Sequence, residues 1–161
     1  MQNNLIFEMM MAFHSAGVNR WSPPWKGRGV PFTRISLIAG KSPAYLGAIS
    51  ENLHLALVES FEVPEKDKFQ AIHQHQKGEL VFDRDYLGGP RSEDFMLFHI
   101  TTGRPRSLAV KQQFYRRLVE RLAVSPGVRH QDVMVIIASS TFEDWSFASG
   151  VCAATPSHGA A

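Results

Sequence analysis

Four residues carry groups that suit proton transfer on a small carboxylic acid: Pro31, Asp67, Arg104 and Arg106. A proline with an unblocked nitrogen is a secondary amine, and α-amino groups titrate near neutral pH, so it can act as a general base or a general acid. Arg104 and Arg106 can bind a carboxylate through paired hydrogen bonds and a permanent charge. Asp67 could orient a water molecule or accept a proton. Together these residue types predict acid–base chemistry on a carboxylated substrate.

A tandem repeat in the sequence predicts the elements that position these groups. Each copy reads as an apolar strand, a glycine followed by a cation, a serine, a long amphipathic helix, a proline-containing turn, an aspartate and a second strand. Ser42 and Ser107 are placed to cap the two helices at their N-termini, and Pro43 fits the first helical position. Apolar residues at helical spacing then continue each helix. The strands are predicted at Phe32–Ile38, Phe69–Gln74, Phe95–Thr101 and Val133–Ala138.

This order of elements predicts an α/β (α+β) fold built from tandem β-α-β repeats. A helix of this length between two strands makes a right-handed crossover and a parallel strand pair. Two similar units join most simply in one four-stranded mixed sheet with a pseudo-twofold axis and two helices on one face. The opposite face keeps apolar side chains, and Val133–Ala138 reads as a strand buried on both faces. Self-association is the economical way to cover that face.

The same topology predicts that the four chemical groups meet at one edge of the sheet. Pro31 begins the first strand and Asp67 precedes the second, and parallel strands begin at the same edge. If the second unit runs antiparallel to the first, the third strand ends at that edge, next to Arg104 and Arg106. Taken singly, a turn proline, a solvated arginine loop and a surface aspartate are ordinary features. Their convergence is what favours a functional site.

The opposite, pseudo-symmetric edge of the predicted sheet is equipped differently. It holds Lys41 and Asp132 at related positions, but Asp94 falls where the first unit has its proline. The sequence therefore predicts that one edge is equipped differently from its copy.

The predicted chemistry requires an unblocked Pro31 nitrogen, although thirty residues precede Pro31 in the sequence. That segment lacks the repeat pattern of the rest and holds the entire net charge of +2. Its residues 26–29 can be encoded by a purine run that resembles a bacterial ribosome-binding site, and Val30 can be encoded by GTG, an alternative start codon. We therefore expect residues 1–30 to be a non-native or disordered extension. The domain is expected to span residues 31–150, followed by a flexible tail at 151–161.

Composition argues against several other classes of protein. No run of about 18 apolar residues exists that could span a membrane, and Glu8 interrupts the only apolar stretch near the N-terminus, LIFEMMMAF. The excess basic charge lies outside the body of the chain, so it gives no support for nucleic-acid binding. Cys152 is the only cysteine, which favours a reducing compartment. We expect a cytoplasmic protein without a nucleic-acid or membrane partner.

The histidines are weak candidates for metal binding. His73 and His75 share one face of a predicted strand, but no further Cys or His lies at a spacing typical of zinc sites. We interpret them as a strand or surface pair and predict no metal site. His99, in the apolar run FMLFHIT, is interpreted as a hydrogen-bonded core histidine.

Five stretches carry a resemblance to a known family. They are PFTRISLIAGKSP, FEVPEKDKFQ, DYLGGPRS, TTGRPRS and EDWSFASG, in this order over residues 31–150. DYLGGPRS and the DWSF of the last stretch are the more specific of them. The chain resembles the tautomerase superfamily and, within it, the malonate semialdehyde decarboxylase-like group. This resemblance implies a tautomerase/MIF-like fold and a homotrimer.

The resemblance also implies roles for particular residues. The catalytic residues it implies are Pro31 as an amino-terminal proline, Asp67 as its acidic partner, and Arg104 and Arg106 as the arginines of an R-P-R motif. The two arginines would bind the substrate, and Trp145 and Phe147 resemble an apolar wall of the same site. The implied substrate is a small carboxylated oxo acid, and no metal or organic cofactor is implied.

The sequence leaves the reaction open between several outcomes. The same groups fit keto–enol tautomerisation of an enol or α-oxo acid and decarboxylation of a malonate-semialdehyde type of substrate. A hydratase or dehalogenase of an unsaturated acid is an alternative, because these groups could also activate water. If residues 1–30 are retained and block Pro31, a non-catalytic oligomeric binding protein on the same fold is the competing expectation.

Overall fold

The computed structural model describes residues 30–154. Its regular elements are β1 (Pro31–Ile38), α1 (Pro43–Phe61), β2 (Phe69–His75), β3 (Met96–Thr102), α2 (Leu108–Val124) and β4 (Val133–Ser139). Short 3-10 turns lie at His130–Asp132 and Phe142–Asp144. The expected extension, except its last residue, and tail residues 155–161 lie outside the described residues.

The four strands form one mixed sheet in the order β2-β1-β3-β4. β1 pairs with β2 in parallel and β3 pairs with β4 in parallel, while β1 and β3 pair antiparallel at the centre. The predicted fold class, an α/β (α+β) tandem β-α-β fold, is therefore confirmed. The antiparallel central pair brings the start of β1 and the end of β3 to the same edge.

Alternate strand residues bury one face of the sheet beneath the two helices. Ile35 and Leu37 of β1 are buried against the helix layer, and Phe98 and Ile100 of β3 continue the core beside them. Burying each side chain of this size contributes about 1.5–3 kcal/mol. The two helices meet through aromatic side chains of α1 and α2 whose ring centroids lie 4.8 Å apart.

Local signals fix where the helices begin. The Ser42 hydroxyl accepts a hydrogen bond from the Tyr45 backbone N–H, and the Ser107 hydroxyl accepts one from Val110. Each bond satisfies a backbone donor that the first helical turn leaves unpaired. At the other end of α1, Glu62 adopts a left-handed backbone with φ of 57°. That conformation stops the helix and turns the chain toward the segment that carries Asp67.

The other face of the sheet has no helix over it in the described part of the chain. Its side chains are Phe32, Arg34, Ser36 and Ile38 of β1, Phe69, Ala71, His73 and His75 of β2, Leu97, His99 and Thr101 of β3, and Met134, Ile136 and Ala138 of β4. We call this set the open face. Met134 and Ile136 are 41% and 42% exposed, and the residues on the other face of β4 are partly buried, so β4 is not buried on both faces within a single chain.

The interpretation of His99 as a core histidine is wrong. His99 pairs with Arg34 in the sheet register and is exposed on the open face. Its neighbours along β3, Phe98 and Ile100, take the buried positions because successive side chains alternate between the two faces.

No helix among residues 30–154 is long and apolar enough to cross a membrane.

Candidate active site

Pro31 is held at the edge of the sheet by backbone pairing with the strand beside it. It is the first residue of β1, is buried, and lies opposite Thr102, the last residue of β3. The Gly103 N–H donates to the Val30 carbonyl at 3.3 Å, which extends the pairing by one step. The Pro31 nitrogen is therefore placed at the point where β3 turns toward the arginine motif.

Arg106 is anchored beneath this turn by contacts to both repeats. Its guanidinium donates to the Arg104 carbonyl at 2.9 Å and to the Phe61 carbonyl at 3.4 Å, and it lies over the Phe61 ring at 5.2 Å from the centroid. Burial, followed by the neighbouring Arg104 charge, lowers the pKa of Arg106, whereas Glu62 opposes this shift. Two close guanidiniums that are partly desolvated form a site where a bound anion relieves repulsion.

Arg104 has a weaker partner and a more accessible charge. The Thr102 hydroxyl donates to the Arg104 carbonyl at 2.9 Å, so the backbone of the turn is fixed. The guanidinium forms an ion pair with Glu62 at 3.6 Å, and the two side chains are 41% and 87% exposed respectively. Exposed ion pairs contribute about 0–1 kcal/mol, so a substrate carboxylate can replace Glu62.

Asp67 lies in the turn that leads into β2, on the same edge as Pro31. Its N–H donates to the Pro64 carbonyl at 2.9 Å, and Phe69, two residues later, pairs with Phe32. One carboxylate oxygen, Oδ1, is buried without a hydrogen-bond partner in the described residues. The pKa of the Asp67 carboxyl is raised, mainly because the group is partly buried; the nearby His54 has a smaller effect in the opposite direction. A partly desolvated carboxyl of this kind suits a general acid or base.

The pseudo-symmetric edge provides an internal comparison, because its charges are paired within the chain. Asp132 is fully buried and accepts bonds from the Ser92 N–H at 2.5 Å and the Ser92 hydroxyl at 2.8 Å. Arg129 lies 3.3 Å from the same carboxylate, and Lys41 is ion-paired with Asp94. This edge is therefore built for stability.

The Pro31 edge, by contrast, keeps several buried polar atoms without partners in the described residues. They are Oδ1 of Asp67 and the Nε atoms of Arg104 and Arg106. Buried polar groups in folded proteins are nearly always hydrogen-bonded, so exceptions indicate a functional role or a bound molecule. The two edges therefore differ: one pairs its charged side chains within the described chain, and the other keeps buried polar atoms without partners there.

An aromatic wall closes the Pro31 edge on the open face. The Trp145 indole N–H donates to the Ser140 hydroxyl at 2.7 Å, and that hydroxyl donates to the Thr102 carbonyl at 3.0 Å. Phe147 stacks on Trp145 with ring centroids 5.7 Å apart, and it lies 6.4 Å from the ring of Phe69. The chain after β4 therefore crosses the sheet from β3 toward β2. Trp145 and Phe147 therefore lie at the Pro31 edge, beside the ends of β3 and β2.

Two residues of this region are not predicted from the sequence. Phe69 faces Phe147 and is 52% exposed, and its signal was an aromatic residue at the start of β2 in register with Phe32. His54 is 5% exposed within α1, and its Nε2 lies 2.7 Å from the Glu65 carbonyl. The signal for His54 was a histidine on the apolar face of a helix.

A cavity of about 610 Å³ lies away from this edge. It is formed between the segment before β3, the outer edge of β4 and α2, with mostly apolar side chains such as Val81, Phe82 and Met134. Arg91 borders the cavity, but its guanidinium already donates hydrogen bonds to the carbonyls of Asp83, Tyr86 and Leu87. We place the candidate site at Pro31 because the unpaired ionisable groups are there and not in this cavity.

The described residues contain no group of three or more His, Cys, Asp and Glu side chains arranged to hold a metal ion.

The fold and the candidate site together describe a class of protein: chains built from two β-α-β units, with a candidate site at the edge of the sheet where the first strand begins. Two family models, both described as tautomerase enzyme, match residues 67–148 and 31–88. The chain belongs to the tautomerase superfamily, in its malonate semialdehyde decarboxylase-like group.

Individual relatives agree with this membership. The probable tautomerase YusQ of Bacillus subtilis (strain 168) is 36% identical over 121 residues, which cover 75% of this chain and 95% of that protein. A crystal structure of malonate semialdehyde decarboxylase is 32% identical, with a TM-score of 0.71 and coverage of 75% of this chain and 93% of that one. A fused 4-OT symmetric trimer, 19% identical with a TM-score of 0.62 over 76% of this chain and 95% of that one, shares the fold.

Proposed function

We propose that this protein is a cofactor-independent enzyme that uses Pro31, as an amino-terminal secondary amine, to act on a small oxo acid. The reaction is keto–enol tautomerisation, decarboxylation of a malonate-semialdehyde type of substrate, or both. The observation that supports it most is the contrast between the two edges. The Pro31 edge keeps buried carboxylate and guanidinium atoms unpaired, whereas the related edge pairs its charges within the described chain.

Each group has a defined part in this chemistry. Arg104 and Arg106 bind the substrate carboxylate and orient the carbon beside it toward Pro31. In tautomerisation, neutral Pro31 removes a proton from oxygen or carbon, and its protonated form returns the proton to the other atom. Asp67 assists by orienting a water molecule or by relaying this proton between Pro31 and the substrate.

Decarboxylation uses the same groups with Pro31 protonated. The Pro31 ammonium donates a hydrogen bond to the carbonyl oxygen of a β-oxo acid. The electron pair of the breaking carbon–carbon bond then moves into the polarised carbonyl, and carbon dioxide leaves. The enolate that forms takes one proton at carbon from Asp67 or Pro31, which gives the neutral carbonyl product. Stabilising the developing negative charge on oxygen is the main contribution of such a site.

A second candidate is addition of water to an unsaturated acid. It is favoured by the partly buried Asp67, whose raised pKa suits activation of a water molecule. The crystal structure of malonate semialdehyde decarboxylase to which this chain is similar is described as a basis for decarboxylase and hydratase activities. A dehalogenase acting on an unsaturated halo acid would use the same step.

One assay separates these candidates. The chain processed to Pro31 is tested in parallel on malonate semialdehyde, phenylpyruvate and 2-hydroxymuconate, with an unsaturated halo acid as a fourth substrate. Turnover of malonate semialdehyde indicates decarboxylation, and turnover of phenylpyruvate or 2-hydroxymuconate indicates tautomerisation. Turnover of the halo acid indicates addition of water. No turnover of any substrate, together with retained oligomeric structure, would favour the non-catalytic binding protein.

Replacing the arginines should weaken the use of carboxylated substrates. We expect Arg104→Ala and Arg106→Ala each to lose one charge-assisted interaction, which costs about 1.5–3 kcal/mol. That loss corresponds to roughly one to two decades in kcat/KM. Initial-rate kinetics over a range of substrate concentrations measure the effect.

Two further variants make the arginine experiment specific. Arg116→Ala removes an exposed arginine from α2 and should leave kcat/KM unchanged. Glu62→Gln removes the carboxylate that competes for Arg104, so KM should fall instead of rise. If both site variants matched Arg116→Ala, the R-P-R motif would be a solvated loop and no anion site.

We also propose that the protein is a homotrimer whose chains pack against one another through the open face. Ile136→Glu places a charge at the partly exposed centre of β4 on that face and should reduce the assembly to monomers. Val124→Glu alters an apolar residue that is 88% exposed at the end of α2 and should leave the trimer intact. Light scattering measures the mass of each, and a monodisperse wild-type monomer at micromolar concentration contradicts the proposal.

A cytoplasmic location, and the lack of nucleic-acid and membrane partners, stay predictions that rest on the sequence composition.

A further inference from the structure

Ser140 connects the aromatic wall to the last residue of β3. The Trp145 indole N–H donates to the Ser140 hydroxyl at 2.7 Å, and that hydroxyl donates to the Thr102 carbonyl at 3.0 Å. The Ser140 backbone N–H donates to the same carbonyl at 2.8 Å. An indole nitrogen only donates and a carbonyl only accepts, so the direction of this chain of hydrogen bonds is fixed. The position of the Trp145 ring therefore depends on Thr102.

Thr102 also connects β3 to the arginine motif. Its hydroxyl donates to the Arg104 carbonyl at 2.9 Å, whereas the Ala138 carbonyl lies at the longer distance of 3.4 Å. The Arg106 guanidinium donates to the same Arg104 carbonyl at 2.9 Å, so that oxygen uses both of its lone pairs. Thr102 is fully buried and lies opposite Pro31 in the sheet. One residue thus contacts the strand that begins at Pro31, the turn that carries the arginines and the serine that anchors the wall.

Comparison with the first repeat shows that a β-α-β unit does not itself require these two hydroxyls. Each repeat has a glycine followed by a cation between its first strand and its helix. The residue before that glycine is Ala39 in the first repeat and Thr102 in the second. The residue after the second strand is Gln76 in the first repeat and Ser140 in the second. The second repeat also has two additional residues between the cation and the serine cap, so its turn is longer and needs its own support.

We propose that Thr102 and Ser140 are positioning residues that hold the aromatic wall and the two arginines in one fixed arrangement around Pro31. Thr102 is the shared member of this arrangement, because its carbonyl holds the wall through Ser140 and its hydroxyl holds the arginine turn. The inference rests on the proposed function in taking the Pro31 edge as the substrate site.

A fixed arrangement of this kind acts on substrate selection. A guanidinium and an aromatic ring that are already held in place lose little freedom when a ligand binds, which increases affinity. Because Thr102 joins the two, the distance between the carboxylate-binding groups and the wall is also set. The site therefore favours acids whose apolar part lies at a matching distance from the carboxylate.

Three substitutions test the connection. Thr102→Val replaces the hydroxyl by a methyl group of similar shape and leaves the backbone carbonyl in place, whereas Thr102→Ser keeps the hydroxyl. Ser140→Ala removes the link to the indole. Exposed Ser139, the residue before Ser140 at the end of β4, supplies the matched control Ser139→Ala. The protein used is the whole chain processed to Pro31.

The first readout is the fluorescence emission of Trp145, the only tryptophan after residue 30 in the sequence. Ser140→Ala should move the emission to longer wavelength and increase its quenching by acrylamide, because the indole loses its hydrogen-bonded anchor. Ser139→Ala should match the wild type. Equal emission and quenching in Ser140→Ala and in the wild type would overturn the proposal, and this readout requires no turnover.

The second readout is the binding of 3-phenylpropanoate, which offers a carboxylate to the arginines and a ring to the wall. Thr102→Val and Ser140→Ala should each weaken binding by about two- to tenfold, the range that one hydrogen bond contributes. Thr102→Ser should bind as the wild type does. In the double variant the loss should be smaller than the product of the two single losses, because both substitutions break the same connection. Independent effects, or a Thr102→Ser variant as weak as Thr102→Val, would overturn the proposal.

Kinetics on whichever substrate is turned over complete the test. Thr102→Val should raise KM more than it lowers kcat, because Pro31 and Asp67 are unchanged, and a KM equal to that of the wild type would contradict the proposal. A wild type that binds 3-phenylpropanoate but turns over no substrate would refute the proposed function and leave the binding test of Thr102 and Ser140 valid. A wild type that binds neither 3-phenylpropanoate nor propanoate would refute both the proposed function and the arrangement around the arginines.

Discussion

The chain processed to begin at Pro31 should turn over an oxo acid, whereas the chain that retains residues 1–30 should be inactive or nearly so. Adding those residues converts the Pro31 nitrogen from a secondary amine into a tertiary amide, which neither takes nor releases a proton near neutral pH. A positioned acid–base group contributes about 10²–10⁴-fold to rate, so a loss of that size is expected. Parallel assays of the two proteins, with intact masses confirming each N-terminus, measure it.

The variant Pro31→Ala provides the matched control for this comparison. After removal of the initiator methionine it exposes a primary amine at the same place, so it should keep part of the activity that the amide form lacks. Both comparisons leave Asp67 and the two arginines untouched. If the natural protein proved to carry residues 1–30 and turned over substrate at the rate of the short form, the proline mechanism would be wrong.

The strand and helix positions were predictable because the local signals are strong and repeated. The predicted strands end within one residue of those in the structure, and both serine caps form the expected bonds. Each repeat carries its own glycine, cap and proline-containing turn, so an error in one copy would have conflicted with the other. Agreement between local signals of this kind is what makes a fold readable from its sequence.

The face of the sheet on which each strand side chain lies was less predictable. FMLFHIT and VMVII are apolar at successive positions, so their periodicity does not say which side chains meet the helices. The apolar run predicts a core position for His99, which lies on the open face instead. Once the register places Phe98 and Ile100 under the helices, alternation forces His99 outward. Only the pairing of strands distant in sequence supplies this information.

The unpredicted parts of the candidate site depend on turns. Sequence order placed Pro31, Asp67 and the arginines at one edge because parallel and antiparallel pairing dictates it. The contact of His54 with the Glu65 carbonyl depends on the direction in which the chain leaves α1. That direction is set by the left-handed backbone of Glu62, which no sequence motif predicts. Turn geometry of this kind follows from packing and not from residue type.

Asp67→Asn should lose activity without losing stability, as expected of a carboxylate with a catalytic and not a structural role. We expect turnover to fall by about 10²–10⁴-fold, the usual contribution of a general acid or base. Burial raises the pKa of Asp67, so the folded state holds its proton more tightly than the unfolded state does. The stability from this effect is present below the unfolded pKa of about 3.9 and is lost as pH rises through the folded value. At neutral pH the asparagine variant should therefore be as stable as the wild type or more so.

Asp132→Asn, at the related position of the other repeat, is the matched control and should behave in the opposite way. Its carboxylate is fully buried and bonded to Ser92 and Arg129, so losing a charge-assisted bond should destabilise the fold by about 1.5–3 kcal/mol. Turnover per folded molecule should stay unchanged. Urea unfolding at pH 7 and pH 4, with kinetics on the same samples, separates the two residues. If Asp67→Asn also unfolded more easily at pH 7 while keeping its turnover, Asp67 would be a structural residue like Asp132, and the two edges would not differ in function.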